Sequence, residues 1–133
     1  MSVDWFIHCF ENQESKEFRL SRLSQAFKKV GKKEYFIKDT IWWELDCGSS
    51  MTAGKRGLIS TDAIVIDRPA LVPELLVAIF DLLKDEGMVL FSADLDTPFV
   101  ANPKTRQHLP NGMVKALGEP KFLDSLKKIE ESI

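Results

Sequence analysis

Cysteine is scarce in this chain. Cys9 and Cys47 are the two it has, too few for a disulfide framework, and neither stands at a chelating spacing from another ligand type, so a reduced, cytosolic protein is expected. Charge of one sign is not in excess either. Eighteen Lys and Arg stand against 20 Asp and Glu, a net charge of -2, so no global field draws phosphates or anionic lipid, and nucleic acid is not an expected partner. Long hydrophobic runs are also missing. The stretch from Ala70 to Leu83 is broken by Pro73, Glu74 and Asp81, short of the roughly 20 apolar residues of a membrane span. The start of the chain has Asp4 where a signal peptide carries bases, and Glu11 interrupts the apolar stretch that follows. No membrane partner is expected.

With 133 residues and 44% apolar composition, the chain is expected to fold as a single domain, residues 1–133, around one hydrophobic core. Val3 to Phe10 reads as an opening strand with two apolar faces, and so as an interior strand of a sheet. Leu20, Leu23, Phe27 and Val30 recur at helical spacing, predicting a helix from about Glu17 to Val30 that ends at Gly31. Glu34–Lys38 and Thr40–Cys47 read as a hairpin turning near Asp39, and Ala63–Asp67 as a further strand. The Gly48–Gly57 stretch has no periodic pattern and reads as a mobile loop, with a short strand resuming from Gly57 to Ser60.

Arg68-Pro69 closes the Ala63–Asp67 strand, and a helix starting near Ala70 to Pro73 carries Val72, Leu75, Leu76, Ile79, Leu82 and Leu83 on one stripe up to Gly87. Met88–Phe91 reads as a buried strand, Phe99–Ala101 as a short one, and Asn102-Pro103 as a helix cap. Pro110 and Gly118 bracket a short helix, and Phe122, Leu126 and Ile129 mark a last one. The expected fold is α+β: one mixed, mainly antiparallel sheet of about five to six strands, two main helices packed on it, and short C-terminal helices.

Catalytic patterns are tested and fail. Gly48–Lys55 resembles a phosphate-cradling loop, but five residues separate its glycines and Arg56 stands where Ser or Thr would hold magnesium. His8, Cys9, Cys47 and His108 are metal-ligand types, yet His8 and Cys9 are neighbours on a strand and point to opposite faces; no metal and no cofactor is expected. Cys47 as a nucleophile lacks a local activating cation or histidine. Glu44, Asp46, Asp62 and Asp67 lie in or beside strands, where an acidic face is ordinarily just solvated.

The second strand of the hairpin is more informative. Ile41, Trp43 and Leu45 alternate with Trp42, Glu44 and Asp46, so one face is apolar and the other mixed. An aromatic ringed by acids is a frequent anchor composition in interfaces, which makes Trp42, Glu44, Asp46 and Asp62 the candidate partner-binding residues. The competing expectation is that a helix covers Trp42, since tryptophan is highly buried on average. A second candidate is a ligand-binding or catalytic cleft formed by Cys47, Lys55 and Arg68, in which Arg68 would hold a carboxylate or phosphate in a bidentate contact.

Cys9-Phe10-Glu11-Asn12, Asp67-Arg68-Pro69, Leu109-Pro110 and Leu117-Gly118-Glu119-Pro120, in this order of elements, resemble phrases of small bacterial α+β proteins. The chain is also similar in type to the immunity proteins found beside bacterial toxins, including those of contact-dependent growth inhibition. That resemblance implies a cytoplasmic protein without enzymatic activity, whose partner is a cognate toxin domain. It departs in charge from immunity proteins for nucleases, which are often much more acidic.

Overall fold

The structure, a computed structural model, describes residues 3–37, 39–54 and 60–132. The first strand, β1 (Trp5–Glu11), turns into β2 (Glu14–Ser15) through Asn12 and Gln13, whose φ angles of 51° and 70° put both tip residues in the left-handed region that a tight hairpin requires. A short strand β3 (Phe18–Arg19) leads into helix α1 (Leu20–Ala26), and β4 (Lys32–Ile37), β5 (Thr40–Leu45) and β6 (Ser50–Gly54) follow as a meander. Then come β7 (Ser60–Thr61), β8 (Ala63–Asp67), helix α2 (Pro73–Leu83), β9 (Met88–Phe91) and β10 (Phe99–Val100). A 3-10 turn (Thr105–His108), helix α3 (Asn111–Leu117), strand β11 (Lys121–Phe122) and helix α4 (Leu126–Ser132) complete the order. No described helix is long and apolar enough to cross a membrane.

The main sheet has nine strands in the order β11-β10-β9-β1-β8-β6-β5-β4, with β2 paired to β1 off this path. Only the β10–β11 pairing is parallel among those described. A mixed, mainly antiparallel sheet is therefore present, but it is wider than five to six strands. The added strands are β6 and the two-residue strands β2 and β11, while β10 stands where a short strand was expected. β6 lies where a loop was expected: Met51 and Ala53 are buried while Ser50 and Thr52 are half-buried, a period of two that small polar residues conceal in the sequence. Pairing on both sides, to β5 and to β8, makes this stretch a strand. Residues 55–59, the rest of that expected loop with Lys55 and most of the Gly57–Ser60 strand, lie outside the described residues.

Two helical expectations are shortened. Instead of running from Glu17 to Val30, α1 ends at Ala26, while Phe27 and Val30 stay buried from the following turn. Apolar spacing reports which side chains are covered, and a turn can bury a side chain as well as a helix does. Phe122 falls in β11 and is exposed, and Leu123 takes the buried place beside it.

The sheet's inner face carries the main core. Trp5, Ile7 and Cys9 of β1, Ile64 and Ile66 of β8, Met51 and Ala53 of β6, and Ile41, Trp43 and Leu45 of β5 pack with Leu23 of α1 and Phe27 just after it, Leu75, Ile79 and Leu82 of α2, and Ile129 of α4. Each such Leu or Ile fully withdrawn from water is worth roughly 1.5–3 kcal/mol. Arg22 pins α1 to α2, its Nε donating to Asp85 Oδ2 at 2.8 Å and its Nη1 to Asp81 Oδ2 at 3.1 Å. On the outer face a smaller cluster, Val89, Val100 and Leu109 with Phe10, Phe91, Met113 and Val114 against it, lies beneath the 3-10 turn and α3. The half-buried Phe6, His8 and Phe10 confirm β1 as an interior strand with partial cover on both sides.

Candidate interaction surface

Adjacent tryptophans on β5 part to opposite faces because a strand alternates its side chains. Trp43 enters the core at 1% exposure, and its indole N–H donates to Glu34 Oε1 at 3.2 Å. Trp42 faces outward at 40% exposure, opposite Tyr35 of β4, itself 44% exposed. The expectation that a helix covers Trp42 is not met. Register extends this pair into a row across the outer face from β4 to β9: Tyr35, Trp42, Thr52, Val65, Phe6 and Phe91 are successive cross-strand partners. The rings of Phe6 and Phe91 stack at 5.5 Å. Toward β4 the row emerges from cover, and an open depression of about 470 Å³ is lined by Tyr35, Phe36, Trp42 and Glu44. The Tyr35 hydroxyl donates to Glu44 Oε2 across 3.5 Å, a long bond at the limit of useful geometry.

A second row runs beside the aromatic one. Lys33, Glu44, Ser50 and Asp67 are successive partners, and Asp4, just before β1, reaches the carboxylate of Asp67. Hydrogen bonding to Asp67 holds the Asp4 carboxyl above its ordinary value, and partial desolvation and the Asp67 charge act in the same direction. Close like charges resist simultaneous ionisation, which is the direction in which the Asp4 carboxyl is moved. The outer face thus presents an aromatic stripe flanked by acids.

Asp46 and Asp62 do not join it. Asp46 lies in the turn after β5, where its N–H donates to Gly31 O at 3.3 Å. Its carboxylate lies over Gly31, whose φ is +74° and where an added Cβ would fall 1.7 Å from Asp46 Oδ2, so glycine is required by both conformation and space. Asp62 precedes β8 at the end opposite Asp67, roughly 17 Å away by the rise of an extended strand, and its carbonyl accepts the Cys9 N–H at 3.0 Å.

The second candidate set is drawn apart in the same way. Cys47 is half-buried against the core, Arg68 is an exposed residue with φ of 51°, and Lys55 is outside the described residues. What joins this region is Ser49, only 2% exposed. Its hydroxyl donates to Arg68 O and accepts from Ala70 N–H, both at 2.8 Å, tying the β5–β6 turn to the chain after β8. Nothing in the Gly48-Ser49-Ser50 run distinguishes the buried serine from its neighbour.

The metal-ligand types are likewise absorbed by structure. Cys9 is buried, which pushes its thiol up to about 11, while His8 stacks on Phe10 at 4.3 Å on the opposite face. His108 accepts the Asn12 N–H on Nδ1 at 3.1 Å, so its proton sits on Nε2, which faces Glu86 Oε2 at 2.6 Å. The His108 carbonyl accepts the Gln13 N–H at 2.9 Å, so this residue holds both left-handed tip residues of the β1–β2 hairpin. Among the described residues no group of three or more His, Cys, Asp or Glu is placed to hold a metal ion.

No family model, curated protein or solved structure matches the chain.

Proposed function

We propose that this chain is an immunity-type protein that binds a cognate bacterial toxin domain in the cytosol and neutralises it. The binding surface is the β4–β5 end of the outer sheet face. The observation that carries this reading is the exposure of Trp42 and Tyr35 side by side, on a strand pair in which β5 commits Ile41, Trp43 and Leu45 of its other face to the core. Large aromatic anchors supply most of the energy of protein interfaces, commonly about 2–4 kcal/mol each when buried by a partner. Glu44, Asp67 and Asp4 beside them select a partner with a basic patch and speed its approach. Asp46, turned over Gly31 after β5, and Asp62, at the far end of β8, are left out of the contact.

The test is protection and copurification with the toxin domain encoded beside this gene. The intact protein is expected to copurify with that domain and rescue cells that express it. Trp42→Ala combined with Tyr35→Ala should weaken binding by roughly 100-fold or more, with circular dichroism and melting temperature close to those of the parent. Full protection by the double variant, or no protection by the parent protein, would reject this reading.

A further inference from the structure

A second surface, on the helical side of the sheet, has a different chemistry. The groove between α1, α2 and α4 has a volume of about 460 Å³ and is lined by Gln25, Ala26, Lys28, Lys29, Val77, Phe80, Asp81, Lys84 and Leu126, a size ordinary for small-molecule sites. Its floor is apolar: Ala26 is buried, Phe80 and Leu126 are half-buried, and Val77 is 43% exposed. Its rim is cationic. Among the described residues Lys28 and Lys29 make no ion pair or side-chain hydrogen bond, and Lys84 has only the Phe80 ring, 5.0 Å below its Nζ. The acid in the wall, Asp81, is occupied by Arg22, which takes both its carboxylate and its carbonyl.

The helix dipoles explain part of this. Lys28 and Lys29 follow the end of α1 and Lys84 caps α2, positions that favour cations. They do not explain an uncovered apolar floor between three uncompensated ammonium groups, in a chain of net charge -2. We infer that this groove binds a small anionic amphiphile: a carboxylate or phosphate head held by Lys28, Lys29 and Lys84, with a short apolar body lying over Ala26, Val77, Phe80 and Leu126. This inference is independent of toxin binding, which uses the other face of the sheet.

Amide chemical-shift titration of the whole protein with four eight-carbon probes tests it: octanoate, octyl phosphate, octanol and octyltrimethylammonium. Octanoate or octyl phosphate should saturate shifts at Gln25, Ala26, Phe80 and Leu126 with dissociation constants of roughly 0.1–1 mM, and whichever binds tighter identifies the head group. Octanol and the cationic probe should bind at least ~10-fold more weakly, and added salt should weaken the anions. The exposed-site variant Lys28→Gln/Lys29→Gln/Lys84→Gln should lose ~10-fold or more in anion affinity while retaining the parent spectrum elsewhere. Equal binding of the cationic probe, shifts confined to the Trp42 face, or no saturable shift with either anion would overturn the inference; so would unchanged affinity in the triple variant.

Discussion

The two ends of the outer sheet face carry similar side chains but meet different surroundings. At the β9–β10 end, Val89 and Val100 are at most 3% exposed because the 3-10 turn, Leu109 after it and α3 lie over them. At the β4–β5 end, Trp42 and Tyr35 face outward with no described element over them. Both ends belong to one hydrogen-bonded sheet, and one cross-strand row runs from Phe91 to Tyr35. The difference teaches that the aromatic row contributes to stability only where the chain folds back over it. At the other end, large aromatic side chains stay exposed.

Substitutions at the two ends should therefore separate stability from binding. Leu109→Ala removes a 1%-exposed side chain from the covering layer and should cost about 2–4 kcal/mol, read as a lowered urea midpoint with unchanged slope. An effect under about 1 kcal/mol would mean that the cover is loosely packed. Gly87→Ala attacks the same end through the backbone. Gly87 has φ of +95°, and an added Cβ would lie 2.3 Å from Phe10 O, where the Phe10 N–H also donates to Gly87 O at 2.9 Å. A loss of roughly 2–3 kcal/mol is expected, by thermal or chemical melting.

Between the two ends, Ser49→Ala deletes both hydrogen bonds of a buried hydroxyl and leaves the Ala70 N–H unsatisfied, for an expected loss of about 1–2 kcal/mol. At the bare end, Trp42→Ala should change stability by less than about 1 kcal/mol while weakening the proposed partner contact by roughly 10-fold or more. A large loss of stability there would remove the contrast altogether.

A pH-dependent effect concerns the two cysteines. The Cys9 thiol, at about 11 in the folded protein against 9.0 ordinarily, should react far more slowly with a thiol reagent at pH 8 than half-buried Cys47. Its folded value is raised, so its contribution to stability is complete below pH 9 and is lost as the pH climbs toward 11, because the unfolded chain releases its proton first. Comparing melting of the parent and Cys9→Ala across that range isolates the slope. Equal slopes would show that burial does not hold the proton on Cys9.

Strands with strong alternation were legible in the chain itself. β1, the β4–β5 hairpin, β8 and β9, and α2 with its apolar stripe lie where periodicity places them; β1, β5, β8, β9 and α2 each bury a face that its own sequence makes apolar, and β4 follows as the hairpin partner of β5. Thr52 and Ala53 show the limit: short, small side chains pair as well as large ones but leave no periodic trace, so β6 became visible only through its neighbours. The candidate surface was half legible. Trp42 and Glu44 share a face by alternation, but Tyr35 joins them only through the β4–β5 register, and Asp67 and Asp4 join through strands distant in the chain. The Lys28, Lys29 and Lys84 groove joins segments about 55 residues apart, and no local pattern marks it.

From the order of its residues alone, this protein had its class determined: apolar period and turn chemistry act over a few neighbours and need no distant partner. Strand number, the exposure of Trp42, the burial of Ser49 and the separation of Asp62 from Glu44 were decided in tertiary structure. Each depends on which segments meet across the sheet, and cover and register are properties of pairs of segments that neither segment encodes by itself.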